Sequence, residues 1–264
     1  MKFALIGNGA IAQYVKSNLL ARGHTVEALL LRADSAASEH RPGAEKPSVL
    51  YHVADLPDNV EHVIDCAGHA GLRDYGPDIL VTGRSLTTVS IGALADDDLY
   101  SALTNAATKG ESKLHLASGA IGALDCLRAA RVGQLTSVRY TGRKPPAGWL
   151  GSPAVTKLDL QALKGAPQTH FQGSARQAAI EYPKNANVAA AVALAGIGFD
   201  KTAVELIADP GITSNIHDIQ AEGEFGTFEF RISGKALADN PRSSALAAMS
   251  VISSIEQQTG TIVF

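Results

Sequence analysis

The sequence predicts an α/β fold made of two domains, and three observations support this prediction. Short apolar runs alternate with amphipathic segments in the first part of the chain, as in a parallel sheet covered by helices. A glycine-rich turn follows the first apolar run. From about Gly133 onwards the strand-like segments alternate apolar and polar residues, which indicates a sheet with one exposed face.

The first strand and the turn after it have the order that a dinucleotide-binding unit requires. An apolar run at residues 2–6 is followed by Gly7, Gly9 and Ala12, and an amphipathic segment then continues to Arg22. Gly7 permits a tight turn, Gly9 lets a pyrophosphate approach the backbone, and Ala12 lets the helix lie close to the sheet. We therefore predict a Rossmann domain over residues 1–119, a structural glycine turn being the alternative. The residues expected to contact the coenzyme at this turn are Gly7, Asn8, Gly9, Ala10 and Ile11.

The second apolar run, residues 26–32, bears on the choice between NAD and NADP. An acidic residue at its end would accept the ribose hydroxyls of NAD, whereas an arginine can pair with the 2′-phosphate of NADP. This chain has Arg32 and then Asp34, so either coenzyme fits, and a solvated charge pair is an equal alternative. Residues 33–47 are polar and predict a loop or a weak helix.

Three further apolar runs, at 62–66, 86–91 and 113–117, end in turns of small residues. The carboxyl ends of parallel strands meet at one edge of a sheet, where ligands bind. Ala67 and Gly68 are therefore expected to contact the coenzyme. Helices are predicted between these strands.

The second domain is predicted over residues 120–240 as a mixed α/β unit. Its strand at 137–143 is broken by the prolines at 145 and 146, since proline cannot continue a central ladder. A last helix is expected to start at Asn240-Pro241 and to pack back on the first domain. The other predicted elements are a helix ending near 182, a helix over 187–196, and strands over 202–208, 214–222 and 226–233.

Composition limits the partners and the compartment. A net charge of −3 gives no reason to expect nucleic acid or an anionic membrane surface. The longest apolar run, 188–199, is too short to span a bilayer, and the strand that follows Met1 directly leaves no room for a signal peptide. Cys66 and Cys126 lack metal-site spacing and are interpreted as buried thiols in a reducing cytoplasm; no metal is expected.

A dinucleotide domain joined to a second domain favours a dehydrogenase or reductase, with the substrate between the two. Hydride transfer from a carbon that bears an amine or hydroxyl needs a proton acceptor, and histidine suits this near neutral pH. His217 stands out among eight histidines because it lies in a polar cluster that opens a strand, on the same face as Asn215. A structural or surface histidine is the alternative.

Cationic and amide groups could bind a substrate carboxylate. Arg143 and Lys144 precede the prolines, Arg143 being able to form a two-pronged hydrogen bond, with a solvated turn as the alternative. Lys184, Asn185 and Asn187 precede the long helix; one asparagine is expected to cap that helix and the other to be available for hydrogen bonding.

Several segments, in order along the chain, resemble the L-aspartate dehydrogenase family. They are 118–125 (SGAIGALD), 141–146 (TGRKPP), 173–176 (GSAR), 182–188 (YPKNANV), 194–200 (LAGIGFD), 215–217 (NIH) and 240–241 (NP). With the glycine turn, the resemblance covers nearly the whole chain. It implies oxidation of L-aspartate with NAD or NADP to iminoaspartate, which hydrolyses to oxaloacetate and ammonia or feeds NAD biosynthesis, and also the reverse reductive amination.

The resemblance also implies roles for individual residues. His217 matches the active-site acid/base, and Ala120 and Asn187 match coenzyme contacts. Arg32 stands where an acidic ribose-binding residue is missing. A homodimer is expected, with the strand-rich second domain as its interface. Homoserine-dehydrogenase-like and dihydrodipicolinate-reductase-like enzymes are the nearest rivals, and a coenzyme-sensing protein without turnover is a further alternative.

Overall fold

The computed structural model describes residues 1–32, 47–238 and 240–263, without the side chains at 241 and 242. It divides into two compact units, one of Met1–Ala117 with Ala247–Phe264 and one of Ser118–Leu246. Among the described residues, no helix combines the length and the apolar character needed to cross a bilayer.

The first unit contains a six-stranded parallel sheet in the order β3-β2-β1-β4-β5-β6. The order reverses beside β1, so the carboxyl ends of β1 and β4 flank the position where such sheets bind ligands. This sheet confirms the predicted Rossmann fold. Its elements are β1 (Lys2–Ile6), α1 (Ala10–Ala21), β2 (Thr25–Leu30), β3 (Ser48–Leu50), β4 (His62–Asp65), α2 (His69–Val81), β5 (Ser85–Thr88), α3 (Asp97–Lys109) and β6 (Leu114–Leu116).

The core of the first unit is completed by the last helix of the chain, α8 (Ala245–Thr259). Phe3 and Leu5 of β1 are fully buried in one apolar cluster with Val15 of α1. Val251 and Ile255 of α8 belong to the same cluster. The helix therefore contributes core side chains to a sheet whose strands lie at the other end of the sequence.

The second unit contains a five-stranded mixed sheet in the order β11-β10-β7-β9-β8. The central strand β7 is antiparallel to β10 and parallel to β9. Along β7 and β10, Tyr140 and Ile219 are buried, whereas Arg139 and Gln220 are exposed, which is the alternation of a sheet with one covered face. The elements are α4 (Leu124–Ala130), β7 (Leu135–Lys144), α5 (Ala154–Lys157), β8 (Gln168–Ser174), α6 (Ala175–Glu181), α7 (Asn187–Ala195), β9 (Ala203–Ala208), β10 (Asn215–Gly223), β11 (Gly226–Gly234), β12 (Ala236–Leu237) and β13 (Asn240–Ser244).

Two sequence-based expectations about local structure are wrong. Asn240-Pro241 does not start the last helix but opens β13, which pairs with β12, and the helix starts at Ala245. A short two-stranded ribbon tolerates a proline because it is an edge throughout. Cys126 is exposed on α4 rather than buried, whereas Cys66 is half-buried.

Candidate active site

A cavity of about 350 Å³ lies at the carboxyl ends of β1, β2 and β4 in the first unit. Five of the residues predicted to bind the coenzyme line it, namely Gly7, Asn8, Gly9, Arg32 and Ala67. Ala10 and Ile11 form the first turn of α1, and Gly68 precedes α2 in a left-handed conformation. The structure thus brings the unit's eight predicted contacts to neighbouring strand ends and helix starts.

The glycine turn fits a dinucleotide pyrophosphate. Gly7 has a φ of +90°, and a Cβ there would lie 3.0 Å from the Cβ of Ala67, so only glycine suits the position. A Cβ on Gly9 would meet no atom within 4 Å, so the backbone beside the cavity is open to a ligand. Since α1 begins directly after Gly9, the N–H groups of its first turn are placed to bind an anion.

The loop on the other side of the cavity is fixed by Asp65, a residue that sequence reasoning missed. Its side chain is fully buried and accepts hydrogen bonds from Thr88 Oγ1 (2.7 Å), Ser90 Oγ (2.6 Å) and the Ala67 N–H (2.9 Å). Burial raises the pKa of this carboxyl, and the three donors oppose that rise. The sequence signal that could have identified Asp65 is its position as a single acidic residue at the end of an otherwise apolar strand.

Replacing Asp65 by alanine is expected to lower the free energy of unfolding by about 2–4 kcal/mol, because three buried donors lose their acceptor. Asp65→Asn, which keeps the shape and one acceptor oxygen, is expected to lose less. Urea denaturation measures both, with Asp58→Ala as an exposed control. A loss in Asp65→Ala no larger than in the control would contradict this role.

Arg32 follows β2 and is exposed at the rim of the cavity. Tyr75, which also lines the cavity, donates a hydrogen bond from its hydroxyl to the Leu31 carbonyl oxygen (3.0 Å). This contact joins α2 to the segment after β2 that contains Leu31 and Arg32. Asp34 lies outside the described residues, so the choice between NAD and NADP stays a prediction.

In the second unit, His217 lies on β10 with 5% of its surface exposed. Its Nδ1 is hydrogen-bonded to the hydroxyl of Tyr140 on β7 (2.8 Å), and the two rings are stacked. Tyr140 was missed by sequence reasoning, although it shares the covered face with Gly142, which pairs with His217. With Nδ1 engaged, Nε2 is the ring nitrogen that can exchange a proton with a ligand.

The imidazole of His217 is uncharged near neutral pH. Burial, and secondarily the positive charge of Lys144, lower its pKa to about 4, while the Asp218 carboxylate acts in the opposite direction. Asp218 itself pairs with Arg231 on the exposed face. A neutral, oriented imidazole is equipped to accept a proton, which is the chemistry of a general base.

Arg143 and Lys144 are neighbours in sequence but point to opposite faces of β7, since side chains alternate along a strand. Arg143 donates to Asp209 Oδ2 (3.0 Å) on one side. Lys144 donates to Asn185 Oδ1 (2.6 Å) on the covered side. The structure therefore does not bring the two cations together, and neither lies in the solvated turn considered as the alternative.

The segment before α7 differs from the expectation of an asparagine cap. The N-cap residue is Ala186, and no side chain caps the helix. Asn185 precedes the cap and contacts Lys144, while Asn187 is the first helical residue. Lys184 is exposed on the turn. Ala120 belongs to the second unit as well and lies half-buried in a bend before α4.

A Rossmann sheet with an open glycine turn, followed by a mixed sheet that buries a neutral histidine, defines a two-domain dinucleotide-binding protein of the dehydrogenase class. Residues 7–117 match the family model described as homoserine dehydrogenase, NAD binding domain, and residues 125–258 match aspartate dehydrogenase, C-terminal. The chain belongs to the L-aspartate dehydrogenase family.

Sequence similarity to curated relatives supports this assignment. The chain is 51% identical to the L-aspartate dehydrogenase of Ruegeria pomeroyi over 99% of this chain and 94% of that protein. It is 44% identical to the L-aspartate dehydrogenase of Pseudomonas aeruginosa over 96% and 95% of the two chains.

Solved structures show the same architecture. Aspartate dehydrogenase from Thermotoga maritima aligns with a TM-score of 0.78 at 26% identity, over 100% of this chain and 99% of that one. A hyperthermophilic archaeal homoserine dehydrogenase in complex with NADPH aligns with a TM-score of 0.61 at 10% identity, over 99% and 98% of the two chains. This second likeness concerns the fold alone.

Proposed function

We propose that the chain is an NAD(P)-dependent L-aspartate dehydrogenase that converts L-aspartate to iminoaspartate, and so to oxaloacetate and ammonia, and catalyses the reverse reductive amination. The observation that carries the proposal is His217, a buried, neutral imidazole fixed by Tyr140. It lies in the part of the chain that matches the aspartate dehydrogenase family model.

The coenzyme residues are proposed from the geometry of the first unit and from the family. Gly7, Gly9 and the first turn of α1 hold the pyrophosphate, while Ala67 and Gly68 form the facing loop. Arg32, at the rim of the same cavity, would meet the ribose hydroxyl or 2′-phosphate that distinguishes NAD from NADP. Ala120 and Asn187 are the proposed contacts from the second unit. When bound, the nicotinamide supplies the hydride acceptor for oxidation and the hydride donor for reductive amination.

The proposed role of His217 is to accept protons from the substrate and from water. The ammonium group of L-aspartate must lose a proton before its carbon can release a hydride, and His217 Nε2 accepts that proton. Once that proton has passed to solvent, the same nitrogen can take a proton from the water that attacks the imine. The Tyr140 hydroxyl oxygen accepts a hydrogen bond from the Nδ1–H of the ring, which keeps the ring oriented and leaves Nε2 available to take the proton. Burial excludes bulk water that would otherwise compete for the imidazole.

The substrate carries two carboxylates that need positive or amide partners. Arg143, Lys144 and Lys184 are the candidates among the cations of the second unit. We also infer a cytoplasmic homodimer that contributes to NAD biosynthesis, with the strand-rich second unit as the dimer interface and no nucleic-acid or membrane partner.

The direct test is the absorbance of the reduced nicotinamide on mixing the protein with L-aspartate and either NAD or NADP. We expect reduction with L-aspartate and little or none with homoserine or other amino acids. Strong preference for homoserine, or activity only on a dihydrodipicolinate-like imine, would favour the corresponding reductase. Coenzyme binding without turnover of any amino or keto acid would instead indicate a sensor.

A further inference from the structure

Lys144 occupies an unusual environment for a lysine at the end of a strand. Its ammonium lies 4.7 Å from the centre of the Trp149 ring, a distance at which a cation is attracted to the aromatic face. Its hydrogen bond to Asn185 Oδ1 measures 2.6 Å. Two neutral groups therefore fix the ammonium between β7 and the turn before α7.

Trp149 is itself fixed by an aromatic cluster that consists of Trp149, His170 and Tyr182. The indole is fully buried, and its Nε1 donates to the Ile207 carbonyl oxygen (2.9 Å). The His170 ring meets it edge to face, with ring centres 4.4 Å apart. His170 Nδ1 is hydrogen-bonded to the Tyr182 hydroxyl (3.0 Å). The indole beside the ammonium is therefore held in place by its own hydrogen bond and by the packing of His170.

The positive charge of Lys144 is not balanced by the protein. Among the residues that the structure describes, no carboxylate forms an ion pair with Lys144, whereas its neighbour Arg143 pairs with Asp209 at 3.0 Å. Burial lowers the pKa of Lys144 to about 8, which shows that the environment disfavours an unpaired ammonium. A ligand carboxylate would supply the missing negative charge.

Lys144 and His217 share the covered face of the sheet. Gly142 pairs with His217 across β7 and β10, and Lys144 follows two residues later on the same face. Diagonal neighbours of this kind lie roughly 7–8 Å apart, and the Lys144 charge is felt at the imidazole. This spacing suits a small molecule that presents a carboxylate to one residue and an amino group to the other.

We propose that Lys144, positioned by Asn185 and the aromatic cluster, binds one carboxylate of the dicarboxylate substrate beside His217. The inference rests on the proposed function for the identity of the substrate. It selects Lys144 over Arg143, which has a carboxylate partner on the other face, and over Lys184, which is exposed on a turn.

Binding of succinate, a dicarboxylate without a reactive amine, tests the site without turnover. Calorimetric titration, with and without saturating NADH, compares wild type with Lys144→Met, Lys144→Arg and Asn185→Asp. Lys144→Met is expected to weaken succinate binding roughly 10- to 100-fold, the effect of removing a hydrogen bond between charged groups. Lys144→Arg, which keeps the charge, is expected to retain most of the affinity.

Asn185→Asp provides a matched test that leaves the lysine in place. The new carboxylate forms an ion pair with the Lys144 ammonium and competes with succinate for it. Succinate affinity is therefore expected to fall by a factor similar to that in Lys144→Met. A purely structural Lys144 would instead gain an ion pair in Asn185→Asp and leave succinate affinity unchanged. Lys201→Met, an exposed lysine of the same unit, is the control and is expected to bind succinate normally.

Steady-state kinetics tell which of the two substrate carboxylates Lys144 binds. If Lys144 binds the side-chain carboxylate, Lys144→Met lowers the ratio of kcat/KM for L-aspartate to that for L-asparagine. If it binds the α-carboxylate, both values of kcat/KM fall together. In either case KM for L-aspartate rises more than kcat falls.

Three binding results would overturn the inference: no succinate binding to wild type, succinate affinity within twofold of wild type in Lys144→Met, or a larger loss of succinate affinity in Arg143→Met. An unchanged KM in a Lys144→Met enzyme that still oxidises L-aspartate defeats the inference and leaves the function intact. Lys144-dependent succinate binding to a protein that oxidises no amino acid defeats the function and leaves the inference intact.

Discussion

Replacing His217 by alanine is expected to lower turnover of L-aspartate by roughly 10²–10⁴-fold, the usual contribution of general acid–base catalysis. The substitution removes the proton acceptor but no residue of the glycine turn, so coenzyme affinity should stay almost unchanged. Steady-state kinetics measure the first effect, and titration of NADH fluorescence measures the second.

Two further variants make the His217 experiment specific. His52→Ala removes an exposed histidine of the first unit and should leave turnover intact. Tyr140→Phe keeps the ring but removes the hydrogen bond to Nδ1, so kcat should fall about tenfold, as for the loss of one hydrogen bond, with little change in KM. Near-normal turnover in His217→Ala would remove His217 from the proposed role.

Acidification from about pH 6.5 towards pH 4 is expected to lower the free energy of unfolding steeply. Burial lowers the pKa of His62 to about 3 and those of His170 and His217 to about 4. In this range the unfolded chain binds protons that the folded chain does not, so stability is lost as pH falls. Each histidine contributes up to about 1.4 kcal/mol per pH unit.

The raised pKa of Asp65 acts in the opposite direction. The folded state keeps the Asp65 proton above pH 3.8, so this carboxyl contributes stability at low pH that is lost as pH rises through its folded pKa. Because three histidines oppose one carboxyl, we expect the histidines to dominate between pH 6.5 and 4.

Urea denaturation at successive pH values measures the acid effect. His62→Gln and His170→Gln should each flatten the dependence of stability on pH, since glutamine does not titrate. His52→Gln should leave the dependence unchanged. Equal stability at pH 7 and pH 5 in the wild-type protein would contradict the expectation.

The sequence was sufficient to predict five of the six strands of the Rossmann sheet, because their signals are local, whereas the three-residue strand β3 was not predicted. Apolar runs of strand length that end in small residues specify both the strand and the edge at which it ends, as at Gly7 and Ala67. The last helix shows the limit of such signals. Asn-Pro resembles a helix start, and only pairing of Leu237 with Asn240 reveals that a strand precedes the helix.

The candidate site was predictable only where a residue type points to chemistry by itself. His217 could be singled out, and alternation placed it on a face with Asn215. Its partner Tyr140 lies on a strand 77 positions earlier, and choosing it requires the register between two strands. The different environments of Arg143 and Lys144 likewise depend on what packs against each face of the sheet, which the segment TGRKPP does not contain.

The contribution of α8 to the core of the first unit has a consequence for synthesis on the ribosome. Val251 and Ile255 leave the ribosomal exit tunnel long after Phe3 and Leu5, which belong to the same apolar cluster. The intervening unit, Ser118–Leu246, is contiguous and can complete its own sheet first. Until α8 leaves the ribosome, part of the apolar core of the first unit therefore stays exposed to solvent.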